Sequence, residues 1–306
     1  MKHFISFFFL FCWYFSFSQN LIPREGFVQV EGGKIWYKIV GEGKATPLLL
    51  IHGGPGSSSC VGMPAYSKLS NDRPVIFYDQ LGTGNSERVW DTSLWRPARF
   101  ADEIDSLRKS LGLKELHILG HSWGGAVLIE YLSKKPAGVK SAIFAAPLIS
   151  TSVWIRDANI LVSQMPKTLQ DTIKKYERIQ NYEAPSYLSA TDSFYARYMY
   201  RKGEPFCVTG GPDNDSIYHY MWGPTEFTAT GTLKNFDRTS DLERLALPVL
   251  FIGGQYDEAR PETMKKFHDK VRGSRLVIIP DSGHGLYRDQ PIIYTEALRN
   301  FLNTKR

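Results

Sequence analysis

A serine hydroxyl becomes a useful nucleophile only when a nearby base takes its proton, so candidate chemistry starts from serines in special backbone settings and the histidines that could serve them. The run Gly120-His121-Ser122-Trp123-Gly124 places a glycine two positions before and two positions after a serine. Alone the pattern is weak, because short Gly/Ser runs occur by chance. Its surroundings strengthen it: the apolar run 116–119 reads as a buried strand leading in, and 126–132 carries a helical pattern leading out. In such a strand–turn–helix the glycines permit a tight, strained turn that lifts the serine hydroxyl above the sheet edge. Gly125 follows at once and favours close packing.

The chain has seven histidines, at positions 3, 52, 117, 121, 219, 268 and 284. His117 falls within a strand-like run and His268 on an amphipathic helical stretch, so both read as packed residues. His284 lies in Asp281-Ser282-Gly283-His284-Gly285, just after the strand-like run 275–279. Asp257 lies in Gly253-Gly254-Gln255-Tyr256-Asp257, just after the run 248–252. Both then sit at the carboxyl edge of a sheet, where ligand sites form in open α/β folds. Ser122, Asp257 and His284 occur in the chain order of the α/β-hydrolase triad. Acyl transfer through a tetrahedral oxyanion also requires fixed N–H donors. The amide of Trp123, next after the serine, is one candidate. Gly54 in His52-Gly53-Gly54-Pro55-Gly56 is the other, since a glycine lets its amide approach the reacting carbonyl closely.

The elements that must position these residues follow from periodicity. Residues 28–30 and 35–40 read as an opening hairpin around Gly32-Gly33, and 47–51, 74–78, 116–119 and 142–146 read as buried strands. Helical spacing marks 100–111, with apolar Ile104, Leu107 and Leu111. From 151 to 237 the texture changes to one rich in Tyr, Trp, Phe and Met, with amphipathic helices over 155–162 and 169–179; this reads as a helical insertion. Strand texture returns at 248–252 and 275–279, and 292–302 closes the chain as a helix. Strands separated by helices imply a parallel sheet with right-handed crossovers. The expectation is an α/β-hydrolase fold, a mostly parallel sheet flanked by helices, with residues 19–150 and 238–306 forming the core and 151–237 a helical cap inserted before the last strands.

Taken together, these motifs resemble the proline iminopeptidase (prolyl aminopeptidase) family. The resemblance rests on His52 to Gly56, on Tyr78-Asp79-Gln80-Leu81-Gly82-Thr83-Gly84-Asn85-Ser86, on Gly120 to Gly125, on Gly254-Gln255-Tyr256-Asp257-Glu258 and on Ser282-Gly283-His284. It spans roughly residues 25–303. It implies a serine exopeptidase that removes an N-terminal residue, often proline, from peptides with a free N-terminus, with no metal or organic cofactor. Such an enzyme must hold the substrate's α-ammonium, which a carboxylate pair does by charge-assisted hydrogen bonds. Glu258 is placed beside the triad by Asp257. Glu226, in Met221-Trp222-Gly223-Pro224-Thr225-Glu226-Phe227, resembles the family's amine-binding glutamate in the cap, and Tyr218 a family tyrosine that points into the site. A carboxylesterase or lactonase would use the same triad without the two glutamates. A dehalogenase or epoxide hydrolase would carry Asp at position 122, and a non-catalytic relative would lack part of the triad.

Composition narrows the remaining classes. The chain has 306 residues, 42% hydrophobic and 22% charged, enough for a full core without disulfide staples. Its net charge of +6 comes from scattered residues, with no basic stripe and no recognisable module for nucleic acid. Lys2, the apolar run from Phe4 to Phe17 and the small residues Ser16 and Ser18 give residues 1–18 the layout of a secretory signal peptide, cleaved before Gln19. The mature protein is then expected in a periplasmic or extracellular space without stable membrane association; the other reading of the segment is a retained anchor. Of the three cysteines, Cys12 lies in that run, while Cys60 and Cys207 could pair in an oxidising compartment or stay free. The sequence leaves the oligomeric state and the preferred first residue open.

Overall fold

A computed structural model of the chain describes residues 20–202, 207 and 211–304, so the expected signal segment, 1–18, lies outside the described residues. Eight strands form one sheet: β1 (Arg24–Val30), β2 (Gly33–Val40), β3 (Leu48–Ile51), β4 (Val75–Tyr78), β5 (Leu116–His121), β6 (Val139–Ala145), β7 (Val249–Gly254) and β8 (Arg275–Ile279). Their spatial order is β1-β2-β4-β3-β5-β6-β7-β8. β1 and β2 form the antiparallel hairpin expected around Gly32-Gly33, and β2 pairs antiparallel with β4. From β4 to β8 every pairing is parallel. The chain has the α/β-hydrolase fold, a mostly parallel sheet with helices on its faces.

Ten helices accompany the sheet: α1 (Met63–Tyr66), α2 (Pro97–Leu111), α3 (Trp123–Ser133), α4 (Thr151–Ser163), α5 (Lys167–Ile179), α6 (Pro185–Tyr198), α7 (Asp215–Met221), α8 (Pro261–Lys270), α9 (Leu286–Asp289) and α10 (Pro291–Leu302) among the described residues. α3 is buried from Trp123 to Leu132, which is why its sequence is apolar all round rather than striped. β3 (LLLI) and β4 (VIFY) are buried along their whole length, as expected of strands covered on both faces.

Four helices, α4 to α7, are inserted between β6 and β7. They carry their own apolar cluster, built from Ala158, Leu161, Val162, Ile173, Tyr187, Ala190, Phe194, Tyr198 and Phe227. Two of these helices, α6 and α7, are additional to those read from the sequence. The buried positions of α6 are Tyr187, Ala190, Thr191, Phe194 and Tyr198, a helical spacing carried by aromatic, small and hydroxyl side chains instead of a run of aliphatic ones. Cys60 and Cys207 form a disulfide with Cα atoms 5.4 Å apart, joining the loop after β3 to the segment between α6 and α7.

Candidate active site

The carboxyl ends of β3, β5, β7 and β8 converge on one cavity of about 210 Å³. Ser122 follows β5 with φ 56° and ψ −122°, a strained conformation for a residue with a Cβ. The turn closes only because its flanking residues lack side chains: a Cβ on Gly120 would run into the Gly124 carbonyl, and one on Gly124 into the Ile51 carbonyl. Ser122 thus stands at the sheet edge with the amide of Trp123 opening α3 beside it.

Asp257 and His284, from loops after β7 and β8, meet at 2.8 Å between Oδ1 and Nδ1. Asp257 is fixed by the amides of Ala259 (2.9 Å, to Oδ1) and Gly254 (3.2 Å, to Oδ2). The His284 loop is held by two backbone bonds to the end of α6: the amide of His284 donates to the Tyr198 carbonyl and that of Gly285 to the Met199 carbonyl, each at 2.8 Å. His121 donates its Nε2–H to the His284 carbonyl (3.0 Å). Burial and the neighbouring His284 lower the His121 pKa to about 3, so His121 is a neutral structural donor.

On the opposite wall Gly54 takes φ +120°, where a Cβ would press on the amides of Gly56 and Ser57. Its loop is braced by the 78–86 motif. Asp79 Oδ1 accepts from the amide (2.8 Å) and hydroxyl (2.7 Å) of Ser59, and Oδ2 from the amide of Asn85 (2.8 Å). The Gln80 amide donates to His52 Nε2 (2.9 Å), and its side-chain oxygen accepts from Trp123 Nε1 (2.8 Å). One brace thereby ties together the two loops that carry the candidate oxyanion donors, Gly54 and Trp123.

The cap closes the cavity. Glu226 accepts from the Tyr218 hydroxyl (2.6 Å, to Oε1) and from Trp154 Nε1 (3.1 Å, to Oε2). Glu258 is 1% exposed, and neither of its carboxylate oxygens has a hydrogen-bond partner among the described residues. Its Oε1 lies 3.8 Å from His284 Nε2. Burial raises the pKa of both glutamates; in Glu258 the nearby Glu226 and Asp257 charges raise it further, while in Glu226 the Tyr218 and Trp154 hydrogen bonds and His284 work the other way. Burial, then Glu226, pushes the Tyr218 phenol up as well.

Ser122, His284, Gly54, Trp123, Glu226, Glu258 and Tyr218 therefore all line one cavity, with Asp257 directly behind His284. Sequence reasoning missed Trp154, which holds Glu226 and sets its ring edge-on to His284 at 5.5 Å between centroids. Its only signal was membership of the aromatic-rich block. Among the described residues no group of three or more His, Cys, Asp or Glu could hold a metal ion.

Residues 46–291 match the family described as alpha/beta hydrolase fold. A proline iminopeptidase from Heyndrickxia coagulans is 39% identical over 285 residues, covering 92% of this chain and 99% of that protein. The crystal structure of a Mycobacterium smegmatis proline iminopeptidase superposes with a TM-score of 0.82 at 29% identity, over 91% of this chain and 97% of that one. The crystal structure of VinJ superposes with a TM-score of 0.85, also at 29% identity, over 92% of this chain and 99% of that one. The chain is an enzyme of the α/β-hydrolase class, and it belongs to the proline iminopeptidase family.

Proposed function

We propose that this enzyme is an exported serine aminopeptidase that releases the N-terminal residue, preferably proline, from peptides through an acyl-enzyme. The observation that carries the reading is Glu258: a buried carboxylate with no hydrogen-bond partner among the described residues, facing the same cavity as Ser122 and His284. Leaving such a group unpaired is costly, and an arriving substrate ammonium is the partner that relieves the cost. Glu226 brackets the same space from the cap. An ester or an internal peptide bond presents no ammonium for this pair to bind.

In this reading Ser122 Oγ attacks the carbonyl of the first residue while His284 Nε2 takes its proton. Asp257 holds the imidazole tautomer through Nδ1–H and balances the imidazolium that forms. The amides of Gly54 and Trp123 receive the oxyanion. His284 then returns the proton to the leaving amine as the C–N bond breaks, and water repeats the sequence on the acyl-enzyme, freeing the residue and Ser122. Glu226 and Glu258 bind the α-ammonium, or the secondary ammonium when the residue is proline.

Export is part of the proposal. The leader-like residues 1–18 motivate it, and a disulfide between Cys60 and Cys207 is the kind of bond that persists in oxidising compartments. N-terminal sequencing of the native protein is expected to begin at Gln19; a start at Met1 would refute it. The test of the activity is a panel run side by side: prolyl-2-naphthylamide, other aminoacyl-naphthylamides, N-acetylprolyl-2-naphthylamide and an uncharged acyl ester. The free prolyl substrate should be cut fastest and the acetylated one refused. Equal rates on acetylated and free substrates would replace the aminopeptidase reading with a carboxylesterase or lactonase.

A further inference from the structure

Glu226 sits in a four-residue turn, Thr225 to Thr228, closed by the Thr228 amide donating to the Thr225 carbonyl (3.2 Å). A side chain that does not line the cavity holds the turn at both ends. Glu177, in the last turn of α5, accepts hydrogen bonds from the Thr225 hydroxyl (3.0 Å), the Thr228 hydroxyl and the Tyr187 hydroxyl of α6. The two threonines flank Glu226, one before it and one after the following Phe227. One carboxylate on α5 thus grips both ends of the turn that carries the cap's amine-site carboxylate.

The other anchors of the turn act elsewhere. Trp222 Nε1 donates to the Thr225 carbonyl (2.9 Å), and Phe227 is buried against Phe194, edge-on at 4.8 Å between centroids. These fix the entry to the turn and its apolar side. Among the described residues, the Thr228 end is tied to α5 through Glu177. Hydrogen bonds to an ionised carboxylate are roughly twice as strong as neutral ones, so three hydroxyls on one carboxylate make a stiff support.

We propose that Glu177 is a positioning residue for the amine site, holding the Thr225–Thr228 turn so that Glu226 meets the substrate ammonium. The proposal rests on the aminopeptidase reading above. It makes Glu177 part of substrate selection although it touches no substrate. Loosening the turn weakens ammonium binding equally in the ground state and the transition state, so the effect falls on KM and spares kcat. A neutral substrate does not register it.

The experiment compares Glu177→Ala, Thr228→Val and Thr228→Ser on prolyl-2-naphthylamide and on nitrophenyl acetate, with Glu226→Gln run in parallel. Glu177→Ala and Thr228→Val should raise KM for the prolyl substrate about tenfold, less than the roughly 100-fold that a 1 Å misplacement of a reacting group can cost, and keep kcat within about threefold. KM for nitrophenyl acetate should be unchanged, and Thr228→Ser, which keeps the hydroxyl, should behave as the unmutated enzyme. Equal loss on both substrates, or no change on either, overturns the role of Glu177. Should Glu177→Ala fail to fold, Thr228→Val and Thr228→Ser carry the same comparison. If Glu226→Gln impairs the prolyl substrate while these variants do not, only the positioning role fails. If Glu226→Gln itself spares the prolyl substrate, the amine-site reading fails, and the positioning role with it.

Discussion

Replacing Glu226 by glutamine removes one negative charge and leaves the cavity's shape almost intact. The amide oxygen can still accept from Trp154 Nε1, and the amide nitrogen can donate to the Tyr218 oxygen once that hydroxyl rotates. What disappears is a Coulombic partner for the substrate ammonium. Two unit charges about 4 Å apart attract by about 4 kcal/mol at an effective dielectric of about 20. Burial has already raised the pKa of Glu226, so part of that attraction is spent in ionising it. Removing one member of a desolvated charge pair costs about 2–5 kcal/mol. At about 1.4 kcal/mol per tenfold, that is roughly 30-fold to several-thousand-fold in kcat/KM. The lower end is expected here, because Glu258 remains.

Glu258→Gln should differ in pattern. Its Oε1 faces His284 Nε2 at 3.8 Å, so in the proposed mechanism Glu258 also stabilises the imidazolium that forms on every substrate. The sequence alone treats the two glutamates alike, sparing an uncharged ester in both variants. The geometry separates them. Glu226→Gln should lose prolyl-2-naphthylamide hydrolysis and keep nitrophenyl acetate within a few-fold, whereas Glu258→Gln should lose the first and weaken the second. Initial rates over a range of substrate concentrations give both ratios. Equal losses on the two substrates for Glu226→Gln would refute the assignment of Glu226 to the ammonium.

Ser122→Ala and His284→Ala should each abolish turnover with an unchanged circular-dichroism spectrum, their double variant should be no worse than either alone, and a serine-directed phosphonate should label Ser122 only. For the prolyl substrate the acid limb of kcat/KM should lie above the ordinary carboxylate range, because burial raises Glu226 and Glu258 and the ammonium needs them ionised; in Glu226→Gln the limb should move to lower pH, as Glu258 loses a repelling charge. Glu258→Gln should also raise Tm at neutral pH, by about 1.5–2 °C for each kcal/mol recovered in a chain of this length. The gain should vanish at low pH, where the carboxyl is protonated both folded and unfolded, and grow as pH rises through the window above 4.5 over which the raised folded pKa costs stability. Cys207→Ser should destabilise the protein by about 2–4 kcal/mol in denaturant titrations under oxidising conditions, and have no effect beyond that of a reductant on the unmutated protein.

What could be read from the sequence divides along a physical line. Ser122, Asp257 and His284 were legible because each follows an apolar strand, buried in β5 and β7 and half-buried in β8, and a parallel sheet delivers the carboxyl ends of its strands to one edge. The braces were visible only as motifs: nothing in the order Asp79-Gln80 says that one side chain grips Ser59 and the other Trp123. The cap was harder. Helix α6 presents Tyr187, Thr191 and Tyr198 inward, so its buried stripe does not look apolar, and the hydroxyls at its edge serve polar groups that the sequence sets far apart. Glu177 illustrates the consequence. In the sequence it is one charge among several on a helix with Lys174, Lys175 and Arg178, where a solvated face is the ordinary expectation. Its partners, Tyr187, Thr225 and Thr228, come from two later segments up to 51 positions away. A strand announces its burial through its own residues, whereas a polar support is defined by the groups it holds. For that reason Ser122, Asp257 and His284 could be picked out before the fold was seen, and the side chain that holds the turn carrying Glu226 could not.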